Sequence, residues 1–387
     1  MNLDLHLTTA CNMKCSFCGA WEYGKEPFYI PFEEAARALE TGRRLGYRIT
    51  TLTGGEPSIH PEYERIIQYA RDLGYWTVVT TNGLRLTEQM VEIYRKCRTL
   101  VRVSLHTLKP ELHQEITGED TLSRIQGNIR EMSRRGIRLG LGCTVFDENI
   151  EEVKSMARFA YKQGASFIRY TPVVGIRGAD EIRLEYDFFR RLVGEISRIC
   201  ADNMDLLEWK DYPIQYSRQI VDYMLTRRCA GGSGQHIIFD CRGNVIACSF
   251  IPEDAHLSAG KEIPQIEDRF KEVYRKVDRL FDRNLAERLK GECGTCGSKK
   301  SCMGGCLTMK IPLGLGPDDE QPVCMRRLID DVCSSFNEQQ RRDLFSYWCS
   351  GDLLKAGSRD VERVCIRRLP IWEVNFRYGG SRERNLK

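Results

Sequence analysis

Six short β-rich runs alternate with helical stretches through the first half of the chain, and that alternation leaves few folds open. The runs are LDLHLT (3–8), YRITTLTGG (47–55), YWTVVTTNG (75–83), LVRVSLHT (100–107), RLGLGCTVF (138–146) and SFIRYTPV (166–173). Between them, apolar residues recur at helical period in 31–46, 61–74, 87–97, 122–136 and 150–164. Four of these stretches stop at a glycine (Gly46, Gly74, Gly136, Gly164), as helix C-termini often do. Strands alternating with helices predict parallel βα units. Six units predict an α/β fold, a partial (β/α)6 TIM-like barrel, with its chemistry on the loops after the strand C-termini.

The motifs fall on those loops. After strand one come Cys11, Cys15 and Cys18, spaced C-x3-C-x2-C, with Phe17 before the last. A tight loop can turn three thiolates toward one point. Four thiolates close a cubane iron–sulfur cluster, so three leave one iron open, as catalytic metal sites keep a position for substrate. A zinc site or an unligated turn also fits the triplet taken alone. After strand two comes Gly54-Gly55-Glu56-Pro57. Two glycines let a backbone approach a ligand, and the glutamate offers a carboxylate to an ammonium group; on its own the motif reads as a turn. After strand three comes Asn82, in TTNG.

The chain has 387 residues, enough for two or three domains. Its net charge of +4 is spread thinly and does not suggest a nucleic-acid binder. No apolar run reaches the length of a membrane span, and MNLDLHLTTA lacks the features of a secretory signal. The expected location is cytoplasmic. Seventeen cysteines in a reducing compartment point to metal or redox chemistry rather than to disulfides.

A charged helical stretch, roughly 183–225, precedes a change in character. CAGGSGQHIIFDCRGNVIACS (229–249) is rich in glycine and cysteine, with a hairpin turn expected at Arg242-Gly243-Asn244. CGTCGSKKSCMGGC (293–306) has too little apolar content to build a core. Its cysteines follow a spacing: Cys229 and Cys248, then Cys293, Cys296, Cys302 and Cys306, then Cys324. Zinc pairs use C-x2-C too, but one zinc takes four ligands, and seven or eight cysteines suit two centres. Cys97, Cys143, Cys200, Cys333, Cys349 and Cys365 obey no ligand spacing and read as small buried hydrophobes.

The cysteine triplet followed by GGEP, within a six-strand βα pattern, resembles the radical S-adenosylmethionine (SAM) superfamily over about residues 1–215. The second cysteine set resembles that family's SPASM extension. The resemblance implies that Cys11, Cys15 and Cys18 hold a [4Fe–4S] cluster whose open iron binds SAM. Gly54, Gly55 and Glu56 would hold the SAM amine end. Phe17, Asn82, Ser104 and Thr144 are further cofactor-binding candidates. His106, Arg169 and Tyr170 are the catalytic candidates; His106 departs from the S-L-D that many relatives carry after strand four. The implied chemistry is one-electron cleavage of SAM to methionine and a 5′-deoxyadenosyl radical, which takes a hydrogen atom from substrate.

The extension implies two auxiliary [4Fe–4S] clusters, three in all. Cys293, Cys296, Cys302 and Cys324 would hold the outer one. Cys229, Cys248 and Cys306 would hold the inner one, with Cys241 the candidate fourth ligand. Such clusters give a substrate electron a way out. Expected domains are the core (1–215), the SPASM region (216–330) and a helical then extended tail (331–387), in which Trp372, Phe376 and Tyr378 read as packing residues.

Enzymes that resemble this architecture mostly modify peptides or proteins, the largest group acting on ribosomally made precursor peptides, which makes such a peptide the expected partner, alongside an electron donor such as flavodoxin or ferredoxin. Ten residues before Cys11 leave no space for a leader-gripping domain, so recognition of a leader is expected from a separate leader-binding protein, the SPASM region or the C-terminal tail. A small metabolite is the alternative substrate. A sulfatase-maturase-like formylglycine activity is disfavoured, because Ser249 stands where that branch has an aspartate after the second cysteine of the extension. An electron carrier or iron–sulfur sensor leaves the open three-thiolate site beside GGEP unexplained.

Overall fold

The computed structural model describes residues 1–18, 26–173, 185–202, 236–248, 257–280, 284–297, 299–310 and 313–338. All six expected strands form: β1 (Asn2–His6), β2 (Ile49–Thr53), β3 (Trp76–Thr81), β4 (Leu100–Ser104), β5 (Arg138–Val145) and β6 (Ile168–Pro172). They pair in chain order and all in parallel. Alternation assigns their faces. In β1, Leu3 and Leu5 are fully buried on the outer face, while Asn2, Asp4 and His6 are half-buried on the inner one. Burying each leucine stabilises the fold by about 1.5–3 kcal/mol. Val101, Val103, Leu139 and Leu141 continue that outer core.

The helices cover the outer face. They are α1 (Phe32–Arg44), α2 (Tyr63–Asp72), α3 (Glu88–Lys96), α4 (Pro110–Thr117), α5 (Leu122–Arg134), α6 (Val153–Lys162) and α7 (Tyr186–Asp202). Gly46, Gly74, Gly136 and Gly164 adopt φ of 94°, 79°, 69° and 65°, the left-handed conformation that ends a helix without a Cβ clash. The helical pattern of the sequence left α4 out. Its signal was there: Pro110 opens it and Gly118, at φ 73°, closes it.

The sheet does not stop at β1. On its free side β7 (His236–Phe239) pairs in parallel, and β8 (Val245–Ile246) and β9 (Ser258–Ala259) follow antiparallel. The order is β6-β5-β4-β3-β2-β1-β7-β8-β9, an unclosed barrel wall with an extension. A bare β1 edge would leave a row of unpaired amides; the cysteine-rich half supplies the strand that covers it. The expected hairpin turn forms: Asp240 Oδ1 accepts from the N–H of Arg242 (2.9 Å) and of Asn244 (2.8 Å). α8 (Ile266–Leu280) holds the turn through buried Arg269, which donates to the carbonyls of Gly243, Ile263 and Pro264. After a series of one-turn helices, α9 (Met325–Ser334) meets α7 where Tyr186 donates to Asp331. No described helix is long and apolar enough to cross a membrane. Residues 203–235, with Cys229, and 339–387, with Trp372, Phe376 and Tyr378, lie outside the described residues, as does Ser249.

Candidate active site

The cysteine loop is fixed by backbone contacts on three sides. On the β2 side, Gly55 N–H donates to Thr8 O and Glu56 N–H to Ala10 O, both at 2.7 Å. The approach is so close that a Cβ on Gly55 would stand 2.1 Å from Ala10 O, and one on Gly54 2.5 Å from Thr8 O. The two glycines therefore admit the cysteine loop itself. On the second side Thr8 and Thr9 bond Phe28. On the third, Lys14 N–H and Ser16 N–H donate to the last carbonyls of α4, Thr117 O (3.0 Å) and Ile116 O (2.8 Å). The helix that the sequence pattern missed is thus a support of the site.

Within the loop the three sulfurs are neighbours. Burial, then the Cys18 and Cys11 sulfurs, push the Cys15 thiol up to about 12. Cys11 rises to about 11, by desolvation first and by the Glu56 and Cys18 charges after it. Among the described residues no set of three or more ligating side chains converges on the point one metal ion would occupy. A four-iron cube binds its thiolates at separate corners, and three neighbouring thiols on one loop fit it. Ligation requires the thiolates, so loading releases protons.

Glu56 turns inward. Its carboxylate is buried and accepts from Ser58 N–H (3.0 Å), Thr81 Oγ1–H (2.7 Å) and Asn82 N–H (2.7 Å). Burial raises its pKa against the pull of those donors. The expected ammonium acceptor is thus a brace between the ends of β2 and β3. Asn82 in turn donates from Nδ2 to Asn12 Oδ1 in the cysteine loop, at 2.7 Å. Asn12 carried no signal in the sequence beyond its place between two cysteines.

Phe17 packs edge-on to His106, with ring centroids 5.0 Å apart, and against Phe146 at 5.1 Å. His106 Nδ1 accepts from Thr144 N–H at 3.0 Å, which leaves the proton on Nε2. Burial first, then the neighbouring His113, lowers its pKa to about 4, so the ring is neutral at physiological pH. Phe17, His106 and Thr144 form one wall of the mouth. Ser104 ends β4, half-buried, beside Gly142 in register. Tyr170 is a correction. Its hydroxyl donates to Val153 O of α6 at 2.5 Å, so alternation along β6 points it away from the lumen. Arg169, one residue earlier, faces inward.

The inner face carries residues the motif search missed. Asp4, His6 and Arg102 lie on it with Arg169. Arg102 Nη2 donates to Thr80 Oγ1 at 2.7 Å, and His236 of β7 meets Asp4 at 3.3 Å. The alternation in LDLHLT and LVRVSLHT held this signal, since a charged residue at every second position of a buried strand faces a polar interior.

In the second cysteine set, Cys302 is pushed up to about 11 by burial and then by Cys293, Cys324 and Cys296. The four cysteines expected at the outer cluster are therefore adjacent. Lys310, buried nearby, donates to Pro317 O at 2.9 Å. Cys241 packs in the core, and among the described residues its leading electrostatic neighbours are Asp240, Arg242 and Glu34. Cys97 and Cys143 are buried, as small hydrophobes.

An open parallel α/β barrel with an all-sulfur loop at its mouth is the frame of an iron–sulfur enzyme. Residues 5–160 match the family model described as the Radical SAM superfamily, so the chain carries the domain of a radical SAM enzyme, a family that uses SAM and a [4Fe–4S] cluster. It is 25% identical over 342 residues to the AdoMet-dependent heme synthase of Methanosarcina barkeri, covering 83% of this chain and 95% of the relative. It is also 25% identical over 342 residues to the mycofactocin maturase MftC of Mycobacterium tuberculosis, covering 84% and 82%. The fold is similar to SuiB of Streptococcus suis bound to S-adenosylmethionine, with a TM-score of 0.66 and 17% identity over 83% of this chain and 76% of that one.

Proposed function

We propose that the chain modifies a ribosomally synthesised peptide, by a crosslink, residue conversion or backbone alteration in natural-product maturation. When bound, the cluster and SAM supply a one-electron cleavage that yields methionine and a hydrogen-abstracting 5′-deoxyadenosyl radical. Cys11, Cys15 and Cys18 hold the cluster. Gly54 and Gly55 bring the loop against β2, and with Glu56 they hold the SAM amine end. Phe17, Asn82, Ser104 and Thr144 line the cofactor's place, with neutral His106 and cationic Arg169 facing substrate. The unclosed wall leaves the inner face open to substrate.

Two auxiliary [4Fe–4S] clusters complete the reading. Cys293, Cys296, Cys302 and Cys324 hold the outer one; Cys229, Cys248 and Cys306 hold the inner, with Cys241 as the candidate fourth ligand or one iron left open. They carry the substrate electron away, and flavodoxin or ferredoxin supplies the first one. Recognition of the peptide falls to a separate leader-binding protein, the SPASM region or the C-terminal tail.

The carrying observation is the locked three-thiol loop at the lumen mouth. The MftC relative and the SuiB structure that holds the precursor peptide SuiA favour a peptide. A small metabolite is the second reading, favoured by the heme synthase relative. Anaerobically loaded, reduced protein with SAM is expected to release 5′-deoxyadenosine. Co-expression with a short precursor encoded beside the gene is expected to shift that peptide's mass. An unchanged peptide beside continued 5′-deoxyadenosine release turns the reading to a metabolite.

A further inference from the structure

The outer cysteines have a buried lysine at their side. Met303, Gly304 and Gly305 join Cys302 to Cys306, and all three take left-handed backbone, with φ of 53°, 77° and 87°. Glycine adopts that conformation without strain, and the run folds the segment back on itself. The fold-back turns Gly304 N–H to the Cys302 sulfur, where a donor favours the thiolate. It also lays Gly304 against Lys310. A Cβ on Gly304 would stand 3.1 Å from Lys310 Nζ, 3.3 Å from Pro317 O and 2.4 Å from Leu289 Cδ2. One bare glycine thus separates a sulfur from an ammonium.

Lys310 ends the one-turn helix Leu307–Lys310 and is 1% exposed. Its Nζ donates to Pro317 O at 2.9 Å, which fixes the head of a long side chain. Lysine is almost never fully buried unless paired. Among the described residues, the leading electrostatic partners of Lys310 are Cys293 and Cys302, ahead of Asp319 and Asp318. Those two carboxylates also meet Lys290, at 2.9 and 3.1 Å.

We propose that Lys310 is a redox-tuning residue, whose enclosed ammonium beside Cys293 and Cys302 raises the reduction potential of the outer auxiliary cluster. The adjacent sulfurs of Cys293, Cys296, Cys302 and Cys324 fit a closed four-thiolate cluster. Reduction adds one electron, and a cation held where water screens poorly stabilises that added negative charge. This deepens the proposed function, because it rests on the outer cluster being present. The raised potential favours acceptance of the one electron that substrate oxidation releases, and a flavodoxin- or ferredoxin-class protein then removes it.

The midpoint of the outer cluster is read by EPR-monitored redox titration of the anaerobically loaded full chain, with iron content measured in parallel. The signal missing from Cys302→Ala identifies that cluster. Lys310→Met removes the charge, and Lys310→Gln removes it while keeping a donor for Pro317 O. Each should weaken reduction of the outer cluster about tenfold, a midpoint lowered by about 59 mV for a one-electron couple, at unchanged iron content. Lys310→Arg, which keeps the charge, should stay within about twofold of the parent. An unchanged midpoint in both neutral variants overturns the proposal, as does an equal shift of all the clusters. Loss of outer-cluster iron in both neutral variants also overturns it and makes Lys310 a brace for assembly. Failure of the cluster reading is separate: Cys302→Ala would then keep the parent's iron and spectrum.

Discussion

Gly55 lies so close to Ala10 that a methyl group in place of its hydrogen would stand 2.1 Å from the Ala10 carbonyl oxygen. The contact belongs to rigid backbone on both sides, so the loop must move. Gly55→Ala is expected to destabilise by about 1–3 kcal/mol, as overpacking does. It should lower both the iron retained after anaerobic reconstitution and the yield of 5′-deoxyadenosine. Full iron loading in this variant would show that the close approach is dispensable.

Gly127, in the middle of α5, has nothing within 4 Å of its would-be Cβ. Gly127→Ala is expected to stabilise the protein by up to about 1 kcal/mol through helix propensity alone. The urea midpoint measures it, with the slope of the transition unchanged.

Glu56 braces two strand ends with three accepted hydrogen bonds. An amide can no longer accept at all those positions, so Glu56→Gln should cost about 1–3 kcal/mol in a denaturant titration. A residue whose first duty was to the SAM ammonium would instead lose SAM affinity at unchanged stability. The two readouts separate the roles.

His106 has a pKa lowered to about 4, by burial first and then by His113. The unfolded chain takes up a proton near pH 6.5, while the folded ring resists it until about pH 4. Stability therefore falls as pH drops through that window, and above it the residue contributes nothing of this kind. His106→Gln, which keeps an acceptor for Thr144 N–H, should remove on the order of 2–3 kcal/mol of that acid loss. The difference in unfolding free energy between variant and parent, measured from pH 7 to pH 4, checks it. A difference that does not change with pH would mean the ring titrates normally.

Cys302 has three cysteine neighbours, whereas the leading electrostatic partners of Cys241 among the described residues are Asp240, Arg242 and Glu34. Cys302→Ala should lose iron and the corresponding spectroscopic signal of one cluster. Cys241→Ala should keep its iron and report a modest change in stability. Iron loss in the second variant would restore Cys241 as the fourth ligand of the inner cluster.

Much of this was legible in the one-dimensional chain. All six barrel strands follow from apolar alternation, the helix ends from Gly46, Gly74, Gly136 and Gly164, and the catalytic loop from three cysteines placed after a strand. These are local facts: a period, a cap or a spacing acts within a few residues and needs no partner. The helix α4 was within reach of the same rules, through Pro110 and Gly118.

What only the tertiary structure decided depends on residues far apart in the chain. Asp4, Arg102 and Arg169 come within electrostatic reach of one another because strands far apart in the chain pair into one wall. Glu56 faces inward because β3 presents Thr81 and Asn82 to it. Tyr170 leaves the lumen because one residue along a strand reverses the face. β7 covers β1 across more than two hundred residues of chain. Long-range pairing and side-chain direction are set by closing the barrel wall, and no window of sequence contains that closure.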